Sequence, residues 1–230
     1  MLLRNYIKMR SVVVFHGWCN AVEPHDFVMQ GFKKIPGDLF FPQGPISVPE
    51  DRFIDFCRKQ NTAEQVIAAV SKLPHFAWWD AQASEAGPDL KHYLGWEDIS
   101  LPYLVDYFTT HGPFDAMVGF SQGALLAVLL ATLSQLPEYS VFRVKGICCI
   151  GSPHNNRSAA HAALFQERRI ALPALLLHGA SDKVCVAEDA EQIAAHFVEG
   201  SVVRRTYPGG HHCPRDAETL GALKAWMDEL

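Results

Sequence analysis

Phe114-Asp115-Ala116-Met117-Val118 runs into Gly119-Phe120-Ser121-Gln122-Gly123 and on into Ala124-Leu125-Leu126-Ala127-Val128-Leu129-Leu130. An apolar run of strand length, a tight turn and an apolar run of helix length follow one another with no linker, which reads as strand, turn, helix. A serine at such a turn takes up a strained backbone, and the glycines on both sides leave room for the neighbouring chain. Its hydroxyl is pushed out at the carboxyl edge of a parallel sheet, beside the first amides of the next helix, which have no acceptor within the helix. The stretch therefore predicts an α/β architecture and makes Ser121 a candidate nucleophile.

Outward from this elbow, apolar and β-branched runs predict strands at Ser11 to Phe15, Asp38 to Phe41, Asp115 to Phe120, Val144 to Ile150, Ala174 to His178 and Val202 to Tyr207. Helical patterns lie near Asp26 to Lys34, Asp51 to Leu73, Gly95 to Thr110, from the elbow to about Gln135, Glu188 to Phe197 and Asp216 to Leu230. This alternation predicts a mainly parallel sheet of about six strands covered on both faces, in one domain spanning 1–230. The connection from Pro42 to about Gly112 is unusually long, and long connections tend to carry function, so it is the expected wall of a substrate pocket.

With 230 residues, 49% of them apolar, the chain can bury one sizeable core. A net charge of -5 with scattered Lys and Arg offers no basic run to neutralise phosphates, which argues against nucleic acid as a partner. Charge interrupts the first ten residues before any apolar segment of secretory length, and no stretch reaches the roughly 20 apolar residues of a membrane helix. A cytosolic location with no integral membrane association is expected. The six cysteines then read as reduced thiols, Cys148 and Cys149 as small buried hydrophobes on opposite faces of one strand, and Cys19 and Cys213 as thiols near the site with possible exposure to oxidants. The eleven histidines show no recurring ligand spacing, so neither metal nor other cofactor is expected. Oligomeric state is not legible.

A serine hydroxyl needs a base within hydrogen-bond reach and a carboxylate that fixes the base's tautomer. In sheets of this type the acid follows a later strand and the histidine follows the last one. Leu177-His178-Gly179-Ala180-Ser181-Asp182 and Tyr207-Pro208-Gly209-Gly210-His211-His212 occupy those positions. Asp182 competes with Glu188 and Asp189, which fall in a helical pattern and are expected to face solvent. His211 competes with His212, and the double glycine favours His211. The amides of Gln122 and of Trp18, in the loop after the first strand, are the expected oxyanion donors. Among the aromatics Phe76, Trp78, Trp79, Tyr93 and Trp96, the pair Trp78 and Trp79 is the candidate substrate wall, against the plain alternative of core packing.

Phe15-His16-Gly17, Phe40-Phe41-Pro42, Ala77-Trp78-Trp79, the elbow Val118 to Gly123, the Gly179 to Asp182 turn and Gly209-Gly210-His211 together resemble the FSH-type serine hydrolase family, over about Val12 to Pro214. The resemblance implies a three-layer α/β-hydrolase fold with no separate cap domain, and a cytosolic hydrolase of small acyl esters or thioesters with Ser121, Asp182 and His211 as its triad. The bulky Trp18 stands where small or polar residues are common in that family, which implies a narrowed acyl pocket. Three rival readings remain: a thioesterase acting on acylated proteins or acyl-coenzyme A, a non-catalytic scaffold that binds a ligand or partner protein, and a peptidase or lipase on the same fold, for which no membrane-binding lid or propeller domain is recognisable.

Overall fold

The computed structural model describes residues 10–20, 37–87, 90–154 and 157–230. The main sheet has six strands, all parallel: β1 (Ser11–Phe15), β2 (Asp38–Phe40), β3 (Ala116–Phe120), β4 (Gly146–Ile150), β5 (Ala174–Gly179) and β6 (Val202–Tyr207), in spatial order β6-β5-β4-β3-β1-β2. The four central strands are apolar almost throughout because both faces of a parallel sheet are covered. Their side chains alternate between two cores. Val13, Phe15, Met117, Cys149 and Leu176 join one, while Val12, Val14, Val118, Cys148, Ile150 and Leu177 join the other. Cys148 and Cys149 thus face opposite ways, as the pleat requires. The edge strand β6 instead exposes Arg204 and Arg205, charges that discourage a second sheet from pairing there.

Among the described residues, seven α-helices accompany the sheet: α1 (Glu50–Lys59), α2 (Glu64–Val70), α3 (Leu101–His111), α4 (Gln122–Leu133), α5 (Ala162–Glu167), α6 (Ala187–Ala194) and α7 (Ala217–Glu229). All twelve residues of α4 are buried, and a helix apolar all round belongs inside. On the opposite face α7 contributes Leu223, Trp226 and Met227, and Asp216 caps it by accepting the Thr219 amide at 2.8 Å.

All six predicted strands are present within one or two residues. The helix expected near Asp26 to Lys34 lies outside the described residues. The pattern read as one helix from Asp51 to Leu73 is two, α1 and α2, parted at Gln60 to Ala63, where Asn61 takes a positive φ of 55°. The segment expected as a helix from Gly95 opens as a π-helical turn, Trp96–Ser100, before α3 begins. Short strands in the long connection went unread: Ile46–Ser47 pairs with Phe76–Ala77, and Asp80–Ala83 with Leu90–Leu94, which also meets Arg157–Ser158. The first pair borders a satellite core of Cys19, Val48, Phe53, Cys57, Ile67 and Ala77, while Ala81 and Tyr93 of the second pack on the main core.

Candidate active site

Ser121 joins β3 to α4 at φ 54°, ψ -119°, a region that L-residues enter only under strain. Steric contact on both sides enforces this geometry. A Cβ on Gly119 would lie 2.1 Å from the Gly123 carbonyl oxygen, and one on Gly123 would lie 2.4 Å from that of Phe15. Strand and helix therefore cross as closely as bare backbone permits. The Ser121 amide donates to the Ile150 carbonyl at 2.8 Å, tying the elbow to β4.

The turns after β5 and β6 bring the other two groups to the serine. His211 Nε2 lies 2.9 Å from Ser121 Oγ, and His211 Nδ1 lies 2.8 Å from Asp182 Oδ2. Asp182 Oδ1 accepts the amides of Val184 and Cys185, both at 2.9 Å. Burial raises the carboxyl's pKa, but the hydrogen bond and charge of His211 with those two amides outweigh it, so Asp182 sits below the ordinary carboxylate value. His212 turns away: its Nδ1 donates to the Cys213 carbonyl at 2.9 Å, while the Tyr207 hydroxyl ties down the loop through the His212 carbonyl. Glu188 is exposed as expected. Asp189 is not. It is buried because its two carboxylate oxygens accept the amides of His154 and Val186, each at 2.9 Å, in the first turn of α6.

A cleft of about 600 Å³ opens at Ser121 and His211, and Trp18, Gln122 and Trp79 line it. The loop after β1 comes so close that a Cβ on Gly17 would lie 3.1 Å from Ser121 Cβ. The Trp18 indole leans edge-on against Phe56 of α1, with ring centres 5.0 Å apart, and forms part of the wall. Trp78 does not line the cleft. It is fully buried, its Nε1 donates to the His16 carbonyl at 2.8 Å, and its ring stacks on His16. Neighbouring residues in an extended segment face opposite ways, so Trp79 reaches the cleft and Trp78 the loop behind it. Cys19 and Cys213, considered as exposed thiols, are buried, and all six cysteines are thiols outside any disulfide. Burial raises the Cys19 thiol well above its ordinary value, with Cys57 adding to the shift.

Two supports escaped the sequence reading. The Gln122 side chain accepts the Trp78 amide through Oε1 and donates through Nε2 to the Trp79 carbonyl, both at 2.9 Å, clamping the wall to the elbow. His16, quoted in the Phe15-His16-Gly17 motif, donates from Nδ1 to the Gly17 carbonyl at 2.8 Å and accepts the Gly44 amide at Nε2, also at 2.8 Å. Those partners fix a neutral tautomer. Complete burial lowers its pKa to about 4, against a smaller upward pull from the Gly17 carbonyl. The only sequence signal was a buried-length apolar strand ending in histidine.

The family profile described as "Serine hydrolase (FSH1)" matches residues 8–223. Among curated relatives, the chain is 32% identical to Esterase OVCA2 of Homo sapiens over 57% of this chain and 56% of that protein. It is 26% identical to Esterase CG5412 of Drosophila melanogaster over 71% and 58% respectively. The chain thus spans less than two thirds of the length of these relatives. Among solved structures, Arabidopsis thaliana SOBER1 superposes with a TM-score of 0.60 at 16% identity, covering 95% of this chain and 97% of that one. Zea mays acyl-protein thioesterase 2 superposes with a TM-score of 0.58 at 19% identity, covering 98% and 97%. These likenesses give the fold, an α/β hydrolase. The profile match over nearly the whole chain gives the family: the chain belongs to the serine hydrolase (FSH1) family.

Proposed function

We propose that the chain acts as one catalytic domain that hydrolyses carboxylic esters or thioesters through an acyl-enzyme on Ser121. His211 Nε2 takes the proton of Ser121 Oγ as the oxygen attacks the acyl carbonyl, and Asp182 holds the imidazole in the tautomer with Nδ1 protonated. The amides of Gln122 and Trp18 receive the negative charge that grows on the carbonyl oxygen. His211 then protonates the leaving alcohol or thiol. Water attacks the acyl-enzyme with His211 again as base, and the acid departs from a regenerated serine. Trp79 lines the acyl side of the cleft, while Trp78 and Gln122 hold the wall in register.

The observation that carries this reading is the unbroken hydrogen-bonded chain from Asp182 through His211 to a serine held at a strained elbow on the floor of a cleft. Fluorophosphonate labelling tests it. Wild type should form one adduct, and Ser121→Ala should form none. An adduct of equal yield on Ser121→Ala would remove Ser121 from the mechanism.

A further inference from the structure

Beyond the triad, the cleft carries a charge pattern that ester cleavage itself does not need. Part of its lining is apolar, with Trp18, Phe120, Leu125 and Val184 among the residues. The same lining holds two basic side chains, Arg52 of α1 and Lys91 of the strand Leu90–Leu94, and one acid, Asp80 of the hairpin partner strand. Among the described lining residues Asp80 is the only carboxylate, set against these two cations.

Arg52 is held ready for a ligand. Its Nη1 donates to Asp80 Oδ2 at 2.6 Å, and its guanidinium carbon lies 6.0 Å from the centre of the Trp18 ring. Both restraints fix the fork before anything binds, which lowers the ordering cost of recognition. A guanidinium has five N–H donors, so the Asp80 bond leaves donors for a second oxyanion. The side chain is 47% exposed, within reach of an incoming group. Trp18 also fixes where that group can lie. Its backbone follows Gly17 beside Ser121 and its indole carries Arg52, so the two ends of one residue separate the reacting carbonyl from the cation.

We propose that the cleft selects acyl esters or thioesters bearing an anionic group, carboxylate or phosphate, remote from the scissile carbonyl, with Arg52 and Lys91 receiving that group. The inference rests on Ser121 being the nucleophile. It names Arg52 and Lys91 as specificity-determining residues and Asp80 as the residue that orients Arg52 while competing for it.

The test compares substrates matched in length. Mono-p-nitrophenyl glutarate against p-nitrophenyl valerate places the anion on the acyl side. Butyryl-4′-phosphopantetheine against butyryl-pantetheine places it on the leaving group. In one arm or the other, kcat/KM for the anionic member should be higher by about tenfold or more, the range of one charge-assisted hydrogen bond. Arg52→Gln and Lys91→Gln should each pull that ratio towards one, mainly through KM, and Asp80→Asn should raise it. Arg58→Gln, on the same helix but paired with Glu64 outside the cleft, should leave it alone. Ratios of one or below in both arms overturn the proposal, as does a preference that survives both Arg52→Gln and Lys91→Gln. Fluorophosphonate labelling of the same samples separates the failures. A flat ratio with Ser121 labelled defeats only the anion preference, whereas absent labelling defeats the nucleophile as well.

Discussion

The elbow and the cleft wall face each other across one cavity, yet they are built differently. The elbow sits between β3 and α4, where every residue from Ala116 to Phe120 and from Gln122 to Leu133 is buried and the packing reaches both main cores. The wall rests on α1 and α2, of ten and seven residues, and on strands as short as two, over a satellite core of six buried residues. Isolated helices that short are marginal, and local opening follows the least packed segments. The elbow is thus placed by the whole protein. The wall is placed by a small cluster, by Trp79 anchored in the main core and by the Gln122 clamp. The proposed hydrolysis benefits from that division, because the candidate nucleophile has to stay put while substrates of different shape enter.

The contrast can be broken most sharply at the triad. Asp182→Asn should lower kcat by about 10⁴ by destabilising the required tautomer of His211. It should leave the fold intact, since an amide oxygen can still accept the Val184 and Cys185 amides. Turnover near wild type, with circular dichroism unchanged, would show that the buried triad is not what the elbow is built to hold.

A middle effect belongs to His16, at the joint between elbow and wall. Its folded pKa of about 4 lies below the ordinary imidazole value of 6.5, so the unfolded chain binds the extra proton between those limits. Stability from this group is present above pH 6.5 and is lost as pH falls towards 4. Between pH 7 and pH 5 the loss should be about 2 kcal/mol in urea melts. His16→Asn should flatten that slope, and an unchanged slope would mean that the buried imidazole is not the group that titrates.

The smallest effect probes the wall alone. Cys57→Ala takes one buried sulfur from the satellite core, about 1 kcal/mol. Amide exchange in α1 and α2 should quicken about fivefold while α4 stays as slow as before. Equal acceleration in α4 would show that wall and elbow open as one unit.

The same division explains what could be read from the sequence. Val12 to Phe15, Met117 to Phe120 and Leu175 to Leu177 are apolar because two layers cover them, and the catalytic candidates follow directly on such strands. Ser121, Asp182 and His211 were therefore legible from their places in the chain. The wall was not, because its order comes from distant partners: Ile46–Ser47 needs Phe76–Ala77, and Leu90–Leu94 needs Arg157–Ser158. A Trp-Trp pair announces an aromatic surface but not which ring faces the cavity. That choice was made by the register of an extended segment, by the His16 carbonyl that takes Trp78 and by the cleft that takes Trp79. Arg52 reads as an ordinary helix charge until Asp80 and Trp18 are beside it.

The burial of α4 on every side has a consequence for the order in which the protein can become active. Its twelve buried residues emerge during synthesis with β1, β2 and β3 already made, but their other neighbours on the sheet, Cys149 and Leu176, come later in the chain. Until β4 and β5 are in place, the helix that holds the nucleophile has no complete shelter. Asp182 and His211 follow those strands, so Ser121, the proposed nucleophile, becomes usable only once the chain through His211 has been made.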